Sequence, residues 1–166
     1  MPGRPSTDFA TAVTLSTLDR LIDEDPGVTV EPALSRSQSV RKLKDALWRD
    51  LEWLLNTRQI AVPPDESLSE VNRSLYVYGL PDFTAFSLNS PKDQAKLVRL
   101  LQGTLKLFEP RLANVRIVPL EAGAHGTRTL HFRIEGLLIM DPAPEHVSFD
   151  TVLELTRGEY EVQSAG

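Results

Sequence analysis

The chain has 166 residues, 41% hydrophobic and 25% charged, with a formal net charge of −5 and no cysteine. A single domain of this length buries about 70% of the surface its unfolded chain exposes, so it needs no disulfide or metal staple. The absence of cysteine excludes disulfides and suits a reducing compartment, and the negative balance argues against a general nucleic-acid partner.

Residues 1–13 read as a flexible lead-in. They are rich in Pro, Ser and Thr, with no apolar stretch of the kind a secretory signal carries. Nowhere does an apolar run reach the roughly 20 residues that span a bilayer, so direct membrane insertion is not expected. A cytoplasmic location is. Within 14–38, Leu15, Leu18 and Ile22 form one apolar stripe on a short helix over Thr14 to Asp23, and Asp25-Pro26-Gly27 ends it. The rest of that segment reads as a linker. The short helix either docks on the domain or is offered to a partner.

A single α+β domain is expected over 39–166. Its first element is a helix from Ser39 to Asn56, with Val40, Leu43, Leu47, Leu51 and Leu54 at helical spacing, widened by Trp48 and Leu55. Ser39 or Ser37 can cap it. Arg41–Asp45 and Asp45–Arg49 are opposite charges four apart on its exposed face. After Pro63-Pro64, Ser67 or Ser69 can cap a short helix through Val71 and Leu75. Gly79 then stands where a helix end needs positive φ, and Pro81 prevents resumption. The aromatics Tyr76, Tyr78 and Phe83 are expected to pack against the long helices.

Ser90-Pro91 opens a second long helix, with Ser at the N-cap, Pro at the first helical position and Asp93 near the positive end of the dipole. Val98, Leu101, Leu105 and Phe108 form its main stripe. Leu97, Leu100 and Leu107 widen that stripe enough for the helix to be covered on both sides.

From Val115 the period becomes two. Val115 and Ile117 start a strand, and Gly123-Ala124-His125-Gly126 makes a loop. Leu130, Phe132 and Ile134 then alternate with His131, Arg133 and Glu135, with Gly136 as a candidate bulge. After Asp141-Pro142, Val147, Phe149, Thr151, Leu153 and Leu155 lie on one face of a further strand. Arg157-Gly158 turns into a last strand with Tyr160 and Val162. Helices first and strands second predict an α+β fold, with N-terminal helices packed on a C-terminal antiparallel β-meander.

Motifs for chemistry are missing. There is no G-x-S-x-G elbow, no P-loop and no G-x-G-x-x-G. His125, His131 and His146 lack ligand spacing, so neither a metal nor a cofactor is expected. A glycosidase needs two carboxylates flanking the scissile bond at a defined separation. Glu109, Asp82, Asp150 and Glu135 are available, but the sequence pairs none of them, and no catalytic residue is assigned.

The segment that stands out is Phe108-Glu109-Pro110-Arg111-Leu112 at the end of the second long helix. Proline clashes with helix and biases the residue before it out of the α region. Glu109 therefore leaves the helix, and Arg111 sits on a stiffened corner. Stopping a helix does not require opposite charges on either side of the proline. Such a pair grips something, either the rest of the fold or a partner.

Five segments occur in order: Leu18-Asp19-Arg20-Leu21, Asp50 to Arg58, Tyr78 to Phe83, Phe108 to Leu112 and Phe149-Asp150-Thr151. Together, over about residues 14–162, they resemble the TssE family of type VI secretion baseplate subunits, related to the baseplate wedge protein of contractile phages. The resemblance implies a non-enzymatic structural protein. Its partners would be baseplate wedge subunits, whose helical core bundle meets Glu109, Pro110 and Arg111. Sheath subunits would join by β-strand addition, at an edge supplied by Val147 to Thr156 or Tyr160 to Val162. A legacy lysozyme-like label for the family keeps a peptidoglycan hydrolase as an alternative. Occurrence of the fold in an anti-adaptor keeps a small regulatory binding protein as another.

Overall fold

A computed structural model describes residues 13–22, 26–28, 34–83, 85–87, 90–120, 129–154 and 159–164. The lead-in before Val13, the loop around Gly123 with His125, and the Arg157-Gly158 turn lie outside the described residues. The element order is α1 (Thr17–Leu21), α2 (Arg36–Asn56), two 3₁₀ turns (Val71–Arg73 and Leu75–Val77), α3 (Pro91–Phe108), and strands β1 (Leu112–Pro119), β2 (Thr129–Leu138), β3 (Glu145–Glu154) and β4 (Glu159–Ser164). The strands form one antiparallel sheet in the order β1-β2-β3-β4. This is the expected α+β fold, with helices leading into a meander.

α2 begins before its apolar stripe, inside the segment expected to be linker. Ser35 is the N-cap, not Ser37 or Ser39. Its hydroxyl accepts from the Gln38 N–H while the Gln38 side chain accepts from the Ser35 N–H. Ser39 is buried inside the helix, where its hydroxyl donates to the Arg36 carbonyl and accepts from the Val13 N–H. α1 is shorter than expected, and its stripe does not pack as a unit. Leu15 reaches the core, but Leu18 is 63% and Leu21 76% exposed. Five helical residues leave too little apolar surface to seat the helix alone.

α2 and α3 contribute Leu43, Leu47, Leu51 and Leu97, Leu101, Leu105 to a core completed by Leu80, Phe83 and the inner face of the sheet. That face carries Ile117, Phe132, Ile134, Val147 and Phe149. α3 lies closest to β1 and α2 closest to β4. α3 is covered on one side only. Leu107 is exposed, because the stripe through Leu97, Leu101 and Leu105 already fills the space facing the sheet.

Two glycines fix backbone. Gly79 has φ 99°, and the chain beside it folds onto the end of α2. There the Leu80 N–H donates to the Thr57 carbonyl and the Gln59 N–H to the Leu80 carbonyl. The short helix expected before it is two 3₁₀ turns divided at Ser74, whose hydroxyl caps the second. Gly136 is not itself the bulge. It stays in register with Val147, while Asn114 and Val115 of β1 together stand opposite it, Asn114 at φ 53°. A side chain at Gly136 would press on the Ala113 carbonyl, 3.3 Å from its Cβ.

Among the strands, β3 is paired on both sides from Phe149 to Glu154, so that stretch cannot present an open edge. The open edges belong to β1 and β4.

Gly79→Ala is expected to destabilise the fold by roughly 2–3 kcal/mol, since it adds left-handed strain and places a Cβ 2.4 Å from the Thr57 carbonyl oxygen. A lower urea midpoint with an unchanged slope checks this.

Candidate functional site

Glu109 caps α3, its N–H bonding the Leu105 carbonyl at 2.8 Å. Its backbone has left the helix, at φ −123° and ψ 73°. Pro110 enforces the break, and the Leu112 N–H then closes a turn onto the Glu109 carbonyl as β1 begins. The corner is therefore rigid and joins the helical and sheet halves, as the sequence implies.

Glu109 is only 4% exposed. A carboxylate removed from water needs a charged partner and hydrogen bonds. Arg111 supplies both as a fork: Nε donates to Glu109 Oε1 at 2.6 Å, and Nη2 donates to Oε2. Nη2 also donates to Asp50 Oδ2 of α2 at 2.7 Å. The Arg111 carbonyl accepts from the Ile139 N–H beyond β2. One residue thus ties the end of α3 to α2 and to the far end of β2.

The charges continue past Asp50. Its other oxygen, Oδ1, accepts from Arg49 Nη2 at 2.8 Å, and that nitrogen also donates to Asp19 Oδ1 of α1 at 2.7 Å. Ser16 caps α1 and donates its hydroxyl to the other Asp19 oxygen. Glu109, Arg111, Asp50, Arg49 and Asp19 therefore form one alternating chain of charges. Tyr78 packs its ring edge-on against Phe108, centroids 5.1 Å apart. Burial, together with the negative charges of Asp50 and Glu109, pushes its phenol above the usual range.

The electrostatics follow the geometry. Hydrogen bonding to Glu109 outweighs burial and raises the Arg111 guanidinium well above its ordinary value, with Asp50 adding to it. Burial raises the Asp19 carboxyl, but hydrogen bonds from Ser16 and Arg49, and the charges of Arg49 and Arg111, outweigh it and leave the group below 3.8.

Of the two outcomes open in the sequence, the pair grips its own fold, with Glu109 and Arg111 bonded to each other. Asp50, Arg49 and Asp19 are not anticipated at the corner. Asp50 lies 61 residues from Arg111, and Asp19 lies 30 from Arg49. Arg49 turns to Asp19 and Asp50, although helical spacing assigns it to Asp45. The only hint is that Asp19 and Asp50 both stand in the segments that carry the family resemblance.

The other acids lie elsewhere. Asp150 is paired with Arg133 directly across β2 and β3, at 2.6 and 3.0 Å, on the face turned away from the helices. Glu135 shares that face, and Asp82 follows Leu80 in a loop. Among the described residues no His, Asp and Glu cluster could hold a metal, and no helix is long and apolar enough to cross a membrane.

A helix pair thus packs on a meander, joined at a Glu-Pro-Arg corner whose glutamate is buried. The family described as baseplate wedge protein gp25 matches residues 41–143, well over half of the chain, from α2 to the turn before β3. The chain belongs to that family, which includes TssE. It is a baseplate structural protein, and membership implies interaction with other baseplate subunits. Among curated proteins and solved structures, none matches the chain.

Arg111→Ala is expected to cost about 3 kcal/mol, because it strands the buried Glu109 carboxylate. Urea unfolding at neutral pH measures it. Acid should release α1. A lowered carboxyl pKa contributes stability that is present above 3.8 and lost as pH falls through the lower folded value. NMR spectra recorded from pH 5 downwards should therefore show α1 released in that window, with no such transition in Asp19→Asn.

Proposed function

We propose that the chain is a non-enzymatic subunit of a type VI secretion baseplate, which joins the wedge complex and gives the contractile sheath its starting platform. The family match over 41–143 carries this reading, since that span contains both the corner and the first half of the sheet. A cytoplasmic location follows from such a role.

Glu109, Pro110 and Arg111 form the contact with neighbouring wedge subunits in this proposal. The corner can hold its own fold and still meet a partner. Pro110 is exposed, and the Arg111 side chain remains 26% exposed. Nε and Nη2 are committed inside the chain, whereas Nη1 makes no hydrogen bond among the described residues. An arginine has five N–H donors, so the outward pair of this one is available to a helix bundle of the wedge.

The sheath partner would add a strand to β4. The β1 edge is blunted by the Asn114–Val115 bulge and by Pro119, both features that discourage strand addition. β3 is interior. β4, from Glu159 to Ser164, is left as the edge that suits an incoming strand.

Co-expression with the wedge and sheath subunits of the same secretion cluster tests the reading. Pro110→Glu alters the exposed corner without removing a member of the clamp. It is expected to weaken wedge capture at least about tenfold, which is roughly 1.4 kcal/mol, and the urea midpoint of the same variant measures separately any loosening of the clamp. Undiminished capture of the variant would remove the corner from the interface. Failure of the unaltered chain to join any wedge complex would overturn the function.

A further inference from the structure

The chain of charges ends on α1, and the corner does not need it to. Glu109 is already held by the Arg111 fork, and α2 is already joined to the corner by Asp50. The arrangement of the shared atoms gives the extension a consequence. Each of the two arginines donates from a single Nη2 in both directions: Arg111 to Glu109 and Asp50, Arg49 to Asp50 and Asp19. An Nη2 carries two hydrogens, so both are committed. Asp50 likewise gives one oxygen to each arginine.

α1 depends on the same chain. It has five residues, its outer leucines face away from the core, and it is seated by Leu15, the Val13–Ser39 hydrogen bond and the Asp19–Arg49 pair. Loss of Asp19 frees one Nη2 hydrogen of Arg49. Arg49, whose Nε and Nη2 already donate to Asp50 Oδ1 at 3.1 and 2.8 Å, can then offer that hydrogen to Asp50 Oδ2, where it competes with Arg111. Hydrogen bonds in a connected series polarise one another, which carries the change along the chain.

We infer that Asp50 couples the seating of α1 to the geometry of the Glu109–Arg111 corner, so that Arg49 and Asp50 are positioning residues for Arg111. Coupling of this kind is reciprocal. Whatever unseats α1 loosens Arg111, and whatever draws Arg111 outward loosens α1. The inference concerns the isolated chain and stands whether or not the corner meets a wedge subunit.

Side-chain NMR of the full chain, with arginine labelled by nitrogen-15, tests it. The Arg111 Nε–H is held by Glu109, and its exchange with solvent reports how tightly the fork is closed. Asp19→Asn is expected to speed that exchange roughly 3–10-fold, the range typical of coupling within one ion-pair network. Asp19→Glu should restore it in large part. Asp150→Asn, which breaks the separate Arg133 pair, should leave it unchanged. In the reverse direction, Arg111→Lys should hasten exchange of the Val13 amide at the root of α1. If Arg111 exchanges at the unaltered rate in Asp19→Asn, the coupling is refuted, whether α1 stays seated or detaches. An equal effect from Asp150→Asn would refute it too, because general loosening would then explain the change.

Discussion

A carboxylate with almost no exposure, placed at the end of a helix, sets the terms for the rest of this structure. Glu109 cannot stand alone at that depth, because an unpaired buried charge costs several kcal/mol. Arg111 answers it with a fork, and Pro110 between them keeps the two side chains on one side of the corner. Asp50 then accepts from Nη2 of the same guanidinium and brings α2 into the same cluster. The inner stretch of α2, the ends of α3 and β2 and the start of β1 all depend on that small group of atoms. The hydrophobic core supplies the bulk of the stability, but it is non-directional. The fork fixes where the helical layer ends and the sheet begins.

The sheet divides the molecule into a covered and an uncovered side. Its inner face is filled by α2, α3 and the loop bearing Leu80 and Phe83. Its outer face carries half-buried polar and charged residues, among them the Arg133–Asp150 pair directly opposed across two strands. The two edges differ in chemistry. β1 is interrupted by a bulge that Gly136 accommodates and ends at Pro119, while β4 closes the meander on the other side. A blunted edge limits strand addition on the β1 side.

α1 stands apart from this economy. Its apolar stripe is legible at the right spacing, yet Leu18 and Leu21 face outward and a polar set of contacts holds the helix in place. Periodicity reports which residues share a face; it does not report whether a layer exists to receive that face. The same limit appears at Leu107, which widens the stripe of α3 in sequence but stays 38% exposed.

What the sequence determined by itself was local. The Ser90-Pro91 helix start, the stop at Pro110, the positive φ of Gly79 and the alternation through Phe132 and Ile134 all follow from interactions within a few residues, where chain connectivity guarantees the neighbours. The order of helices and strands then restricted the fold to helices on a meander. The tertiary structure alone decided which long-range partners met. Arg49 chose Asp19 and Asp50 over the helix neighbour Asp45, Arg111 found Asp50, and Gly136 received a bulge carried by β1. Charge pairing depends on distance in space and on burial, and neither is encoded in spacing along the chain. The Glu-Pro-Arg corner is visible in the sequence; its attachment to α2 and α1 required the fold.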